Sequence, residues 1–113
     1  MNAAILIPAR WGSTRFDGKP LAELNGVPLI KRVFDICKST EIDTYVLTDD
    51  QRIYNVIGPN CFIDKHPYEN GTERCQGAHK KGFVDYKYYI NVQGDMADVT
   101  EEIISAAYVT LKN

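Results

Sequence analysis

Apolar residues occur in blocks along the chain, and the blocks predict the strands of a sheet. Residues 3–8 are apolar without interruption, which is typical of a strand that is buried on both faces. Shorter blocks rich in β-branched and aromatic residues predict three further strands, over residues 43–50, 61–65 and 86–95. The first block lacks the polar alternation of a half-exposed strand, so we expect it to be fully buried.

Helical spacing of apolar residues appears between the predicted strands. After Pro28, which suits the first turn of a helix, apolar side chains recur at positions 29, 30, 33, 34 and 37. Periodicity and turn residues predict helices over residues 29–38, about 50–57, 71–82 and from Thr100 onward. Residues 9–28 predict one long loop, with a turn at Asn25-Gly26.

The alternation of strands and helices indicates the fold class. It predicts a Rossmann-like, three-layer α/β/α domain with a mainly parallel sheet. Such sheets bind ligands outside the carboxyl ends of their strands. Three of these ends are the most polar junctions of the chain, namely residues 9–19, Asp49-Asp50 and Gln93-Gly94-Asp95. The sequence therefore predicts a binding site at this edge.

Composition narrows the class of protein. A chain of 113 residues, 44% hydrophobic and 25% charged, is typical of a single globular domain. Its net charge of −2 argues against nucleic-acid binding, and no apolar stretch is long enough for a membrane span. The N-terminus lacks signal-peptide order, and the 3 cysteines form no CxxC pair. We expect reduced, mostly buried thiols in a cytoplasmic protein.

The segment "IPARWGSTRFDGKPL" gathers cations on flexible backbone directly after the first predicted strand. Arg10 and Arg15 offer planar forks for phosphate oxygens, and Lys19 offers a point charge. Gly12 and Gly18 allow the backbone to approach a ligand closely. The order of residues differs from the GxxxxGK[ST] loop of P-loop proteins. The alternative is a solvated loop whose cations neutralise nearby acids.

Two further segments carry candidate site residues, each with an alternative. Asp95 in "NVQGD" could bind Mg²⁺ with one oxygen, or cap a turn or helix. Gln93 could contact a base or sugar, or be a satisfied amide at the sheet end. Arg74 in "NGTER" could lie near a nucleotide, or be an exposed helical arginine. His66 and His79 have no ligand spacing, so we interpret both as structural or surface residues.

Together the motifs resemble a known family. The stretch "IPARWGSTRFDGKPLAELNGVPLI", then "TDD", "NGTER" and "INVQGD", is similar in order and spacing to the N-terminal half of 3-deoxy-manno-octulosonate (Kdo) cytidylyltransferase, or CMP-Kdo synthetase. The resemblance covers about residues 4–110 and extends more loosely to other sugar nucleotidyltransferases. It implies a shortened fold of the nucleotide-diphospho-sugar transferase type, with the first strand at the centre of the sheet.

The resemblance implies roles for individual residues. The anomeric hydroxyl of Kdo would attack the α-phosphorus of CTP, and pyrophosphate would leave. Arg10 and Lys19 would be catalytic, because they would grip the triphosphate and stabilise its developing charge. Asp95 would bind Mg²⁺. The remaining implied nucleotide contacts are Pro8, Ala9, Ser13, Arg15, Arg74 and Gln93.

The sequence also departs from the family pattern. Asp17 stands where the family has proline, and Met96-Ala97 where it has Glu-Pro. The sequence ends at Asn113, whereas family members run about twice as far, so we expect one shortened nucleotide-binding domain over residues 1–113. An active transferase, a catalytically inactive nucleotide-binding remnant and half of a split enzyme all stay open, as does the identity of the sugar acid. An uncovered sheet edge or apolar surface leads us to expect a homo-oligomer.

Overall fold

A computed structural model describes residues 2–11, 23–24 and 27–94 of the chain. Most of the predicted cationic loop and the predicted helix from Thr100 lie outside the described residues. The described elements run in the order β1 (Ala3–Pro8), β2 (Glu23–Leu24), β3 (Val27–Pro28), α1 (Leu29–Lys38), β4 (Asp43–Thr48), α2 (Gln51–Ile57), β5 (Cys61–Ile63), α3 (Gly71–Lys80) and β6 (Tyr88–Asn91).

Four strands form one parallel sheet in the order β5-β4-β1-β6. Ile5 of β1 lies opposite Thr44 of β4 on one side and Ile90 of β6 on the other. β1 is thus an interior strand with a neighbour along each edge. This arrangement confirms the predicted parallel sheet and the interior position of the first strand.

The core has two layers, one on each face of the sheet. Ile5 and Ile7 of β1 pack in a cluster that includes Ile30 and Val33 of α1 and Ile53 of α2. On the opposite face, the buried residues of the smaller cluster are Leu6, Leu47, Ala78 and Val84, with Ala78 contributed by α3. Neighbouring residues of β1 therefore enter opposite layers, as expected for a strand covered by helices on both faces. The predicted three-layer fold is confirmed.

The prediction of one unbroken loop between β1 and α1 is wrong. β2 and β3 form an antiparallel pair, with Glu23 opposite Pro28 and Leu24 opposite Val27. Each strand has only two residues, which is too short for alternation to reveal it. The Asn-Gly pair in the sequence between the two strands is the strongest short-range signal of a β-hairpin, so it was evidence for paired strands as well as for a turn.

The boundary between β4 and α2 also differs from the prediction. β4 ends at Thr48 rather than at the predicted Asp49, and Asp50 caps the following helix. Its side chain accepts a hydrogen bond from the Arg52 backbone N–H at 2.8 Å. This N-cap satisfies a donor that the helix leaves unpaired. The short predicted helix is confirmed at Gln51–Ile57.

The three cysteines are free thiols, as predicted. Cys37 and Cys61 are buried, and Cys75 is half-buried. Burial raises the pKa of Cys37 and Cys61 to about 12 and that of Cys75 to about 11. These thiols stay protonated near neutral pH, so they act as small core side chains rather than nucleophiles.

Candidate functional site

Three of the sequence motifs meet at the carboxyl edge of the sheet, and two glycines allow this approach. A Cβ atom at Gly94 would lie 3.1 Å from Ala9 Cβ and 3.3 Å from the Pro8 carbonyl oxygen. A Cβ atom at Gly71 would lie 2.8 Å from Pro8 Cγ and 3.5 Å from Gln93 Oε1. At both positions the backbone segments approach so closely that a side chain in place of glycine would push them apart. The end of β1, the start of α3 and the segment after β6 are thereby in contact.

Arg10 lies at this meeting point, with a backbone anchor on each side. The Ala9 N–H donates to the Leu47 carbonyl at 2.8 Å, which extends the β1–β4 ladder past the end of β1. The Trp11 N–H donates to Asp49 Oδ1 at 2.9 Å. The Arg10 side chain is exposed, whereas Ala9 is buried. The structure therefore holds the backbone around Arg10 and leaves its cation in solvent.

A cation stacks on the indole ring beside Arg10. The Arg52 guanidinium carbon lies 3.3 Å from the centroid of the Trp11 ring. Arg52 also forks onto Asp50, with Nε–Oδ1 at 2.8 Å and Nη2–Oδ2 at 2.7 Å. The hydrogen bonds from Arg52 lower the pKa of Asp50 to about 2. We call Trp11, Asp49, Asp50 and Arg52 the β1–β4 clamp.

Arg74 is buried, which contradicts one of its two sequence interpretations. It is only 5% exposed, so the alternative of an exposed helical arginine is wrong. Its Nη1 donates to the Asp64 carbonyl at 2.9 Å, and its guanidinium carbon lies 5.0 Å from the Tyr68 ring centroid. Its predicted nucleotide contact stays a prediction, because the described contacts of Arg74 are to the loop after β5.

The carboxylate of Asp64 organises that loop. It accepts hydrogen bonds from Lys81 Nζ at 2.9 and 3.0 Å, from the Tyr68 hydroxyl at 2.7 Å and from the His66 N–H at 3.0 Å. Burial by itself would raise the pKa of Asp64, but these hydrogen bonds outweigh burial and lower the pKa to about 2. We call Asp64, Tyr68, Arg74 and Lys81 the α3 cluster.

Gln93 reaches the same edge of the sheet as Arg10. Its side chain is exposed, and its Nε2 donates to Asn91 Oδ1 at a long 3.4 Å. Both of its predicted roles stay open. The other predicted site residues, Ser13, Arg15, Lys19 and Asp95, lie outside the described residues. Within the described part of the chain, no group of three or more His, Cys, Asp or Glu residues could hold a metal ion.

Some residues that shape this edge had no role in the sequence interpretation. Asp49 and Asp50 had been noted only as a polar junction and as part of the "TDD" motif, and Arg52, Asp64 and Tyr68 had not been noted as site residues. The one available signal was the position of each aspartate at or near the end of a predicted strand. Their partners depend on strand register and loop packing, which no local pattern shows.

A separate groove of about 770 Å³ runs between α3 and β6. Its lining includes Gln76 and Lys80 of α3 and Tyr89 and Asn91 of β6, but not residues 8–10 or 93–94. His66 and His79 also line it, and both are exposed, which agrees with their interpretation as surface residues. Among the described helices, none is long and apolar enough to cross a membrane.

Comparison with known proteins gives one consistent family. The sequence model of the cytidylyltransferase family matches residues 4–113. The chain is 37% identical over 117 residues to 3-deoxy-manno-octulosonate cytidylyltransferase of Desulfosudis oleivorans, covering 98% of this chain and 47% of that protein. It is 42% identical over 93 residues to the Parabacteroides distasonis enzyme of that name, covering 80% of this chain and 37% of the relative. The chain thus spans less than half the length of these relatives.

A solved structure agrees with the sequence comparisons. The structure of CMP:2-keto-3-deoxy-manno-octonic acid synthetase complexed with CTP superposes with a TM-score of 0.90 at 30% sequence identity. The match covers 99% of this chain and 48% of that one. Family match, relatives and fold all point the same way, and the chain belongs to the cytidylyltransferase family, in the CMP-Kdo synthetase-like group of nucleotidyltransferases.

Proposed function

We propose that this chain binds CTP with Mg²⁺ at the carboxyl edge of β1 and β6 and takes part in the transfer of CMP to a sugar acid, Kdo or a close relative. The observation that carries the proposal is the contact between the ends of β1 and β6 and the start of α3, made close by Gly71 and Gly94. It gathers segments of three separate motifs around exposed Arg10. The similar structure that is complexed with CTP supports the choice of nucleotide.

In the proposed reaction, a hydroxyl oxygen of the sugar acid forms a bond to the α-phosphorus of CTP. The bond from that phosphorus to the bridging oxygen breaks, pyrophosphate leaves and the hydroxyl proton passes to solvent. Arg10 and Lys19 would bind the triphosphate oxygens and balance the charge that accumulates on the leaving group. Ser13 and Arg15 would support the triphosphate, and Gln93 would face the base or ribose.

Arg74 has a more specific role in this proposal. Its aliphatic part and guanidinium are buried against the loop that follows β5, with one hydrogen bond to the Asp64 carbonyl. A guanidinium has five donors, so further donors exist for a cytosine or ribose oxygen. The buried position would fix the arginine in place before the nucleotide arrives.

The donor chemistry at this edge suits magnesium. Asp95 follows Gly94 directly in the sequence, and Gly94 packs against the end of β1. Mg²⁺ is commonly held by one or two carboxylates together with substrate phosphates and water, so a single aspartate beside a triphosphate site fits. Bound there, the ion would neutralise part of the triphosphate charge.

The test measures CTP binding and pyrophosphate release on the same protein. At a CTP concentration about one hundred times Kd, linkage predicts a gain of about 2.7 kcal/mol in the free energy of unfolding. We expect a clear rise in Tm with CTP and Mg²⁺, a smaller rise with ATP, and Kdo-dependent release of pyrophosphate. Arg10→Ala and Lys19→Ala should each remove most of the rise, and Asp95→Asn should remove its dependence on Mg²⁺.

A matched control is Lys38→Ala in the last turn of α1, which removes an exposed cation at the opposite end of the helix from Ile30, the α1 residue that approaches Gly94. It should bind CTP like the original chain. Equal Tm shifts with CTP and ATP, or no shift with either, would contradict a cytidine nucleotide site. CTP binding without Kdo-dependent pyrophosphate release would instead support the inactive nucleotide-binding alternative.

A further inference from the structure

We propose that the β1–β4 clamp positions Arg10 for the triphosphate, so that Asp49 and Arg52 control CTP affinity without touching the nucleotide. This inference rests on the proposed function, since it names residues that serve the same site. It adds positioning residues that lie outside the cationic segment itself. The hydrogen bonds of the backbone around Arg10 and the contacts among the clamp residues support this role.

The backbone on both sides of Arg10 is tied to β4. Ala9 uses its N–H on the Leu47 carbonyl, and Trp11 uses its N–H on Asp49 Oδ1. The second bond replaces the next rung of the parallel ladder, because β4 has already ended at Thr48. The carboxylate therefore keeps position 11 next to β4 where no backbone acceptor of that strand remains. Arg10 is left with little backbone freedom between two fixed neighbours.

The Trp11 side chain provides the second attachment of the clamp. The indole packs against the core cluster beneath α1 and α2 and is covered by the Arg52 guanidinium at 3.3 Å. Arg52 is itself held by both oxygens of Asp50, which caps α2. The start of the cationic segment is thus pinned to the first turn of α2. Only a planar guanidinium can fork onto a carboxylate and stack on a ring simultaneously.

The groups of the clamp already have partners, whereas the Arg10 side chain has none among the described residues. Both oxygens of Asp50 accept from Arg52, and Asp49 Oδ1 accepts from Trp11. Within residues 2–11, 23–24 and 27–94, no hydrogen bond or ion pair holds the exposed Arg10 side chain. We therefore infer that Arg10 contacts the ligand and that the clamp holds Arg10 in position. Preorganised groups lose less freedom on binding, so the support should appear as CTP affinity.

The test is a double-mutant cycle on CTP affinity, measured by titration calorimetry in the presence of Mg²⁺. Asp49→Ala removes the acceptor for Trp11, whereas Asp49→Asn keeps an oxygen in its place. We expect Asp49→Ala and Arg52→Ala each to weaken CTP binding by about five- to tenfold, a coupling within the usual range for interacting residues. Asp49→Asn should stay within about twofold of the original chain.

The Arg10→Ala background separates positioning from general structural damage. If the clamp acts through Arg10, Asp49→Ala and Arg52→Ala should change affinity by less than about twofold in that background. Undiminished losses there would overturn the inference, because the clamp would then act by another route. Arg52→Lys should resemble Arg52→Ala, since an ammonium keeps the charge but neither forks nor stacks. Lys38→Ala is again the matched exposed-cation control.

A readout without nucleotide keeps the inference separate from the proposed function. Hydrogen exchange of the Trp11 amide in the free protein should be slow in the original chain and in Asp49→Asn, and fast in Asp49→Ala. Equal exchange in all three would overturn the clamp even if CTP binds. Slow exchange together with no CTP binding by the original chain would overturn the proposed function, and the positioning role with it, while retaining the clamp as a structural feature.

Discussion

The β1–β4 clamp and the α3 cluster contain the same three kinds of group but differ in whether the arginine is exposed or buried. Each combines a carboxylate after a strand, an arginine and an aromatic ring. In the clamp, Arg52 lies on the surface and its side chain is 57% exposed, and the cation that reaches solvent beside it is Arg10. In the α3 cluster, Arg74 is buried to 5% exposure under Tyr68. One arrangement displays a cation, and the other encloses one.

Sequence separation explains much of the difference. Asp50 and Arg52 are two residues apart, so their contacts need only the first turn of α2. Asp64 and Lys81 are 17 residues apart, and Arg74 lies between them in the chain. The α3 cluster therefore joins the end of β5 to both ends of α3, whereas the salt bridge of the clamp is local. A long-range cluster should contribute more to folding, because a local contact can persist in the unfolded chain.

The largest expected effect is the loss of the buried arginine. Arg74→Ala removes a charged donor from the Asp64 carbonyl and leaves space under Tyr68. We expect the free energy of unfolding to fall by about 2–3 kcal/mol, in the range for charged hydrogen bonds and unsatisfied buried groups. Urea denaturation followed by circular dichroism measures it. Arg74→Met, which retains the volume, should recover part of the loss, and a loss below about 0.5 kcal/mol would show that Arg74 is not structurally buried.

Low pH should lower the stability of the fold through protonation of Asp50 and Asp64, and the contribution of Asp64 should be the larger. Their pKa values are lowered from 3.8 to about 2 in the folded protein. A lowered carboxyl pKa adds stability above the unfolded value, and this stability is lost as the pH falls from about 4 to about 2. Asp64→Asn should flatten the loss of stability in that window more than Asp50→Asn does, because the partners of Asp50 are local. Denaturation curves at several pH values check the order, and a larger effect at Asp50 would reverse the comparison.

The smallest effect on stability is expected for the exposed arginine. Arg52→Ala should lower the free energy of unfolding less than the substitutions at Arg74 and Asp64 do, because exposed ion pairs contribute little to stability. The same denaturation experiment gives the value beside that of Arg74→Ala. Trp11 is the only tryptophan, so its emission should shift when the stacked guanidinium is removed. Unchanged emission would mean that the stack does not persist in solution.

The fold was predictable because strong patterns coincide in its elements. The apolar block of β1 and the helical spacing of α1 fix both elements, and Pro28 marks where the helix begins. The β2–β3 pair escaped because two-residue strands carry no periodicity. The resemblance of the motifs also brought the ends of β1 and β6 and the start of α3 into one predicted site before any geometry was known.

The sequence could not predict which side chains of the site are buried or which partners they contact. The motif "NGTER" does not show whether its arginine is exposed or lies under a tyrosine, because the packing of the loop after β5 determines the burial of this side chain. The stack of Arg52 on Trp11 joins residues 41 positions apart through the pairing of β1 with β4. Gly77 shows the same limit, because a Cβ atom there would collide with the Tyr68 hydroxyl, a constraint set only by tertiary packing.

The central claim is that CTP binds at the carboxyl edge of β1 and β6, and amide chemical-shift mapping tests it most directly. With ¹⁵N-labelled protein, Mg²⁺ and increasing CTP, we expect saturable shifts concentrated at residues 9–11, at Gly71, and at Gln93 and Gly94. Amides lining the far part of the α3–β6 groove, such as Lys80, should change little. Saturable shifts confined to that groove or to α1 and α2, or no shifts at all, would contradict the account.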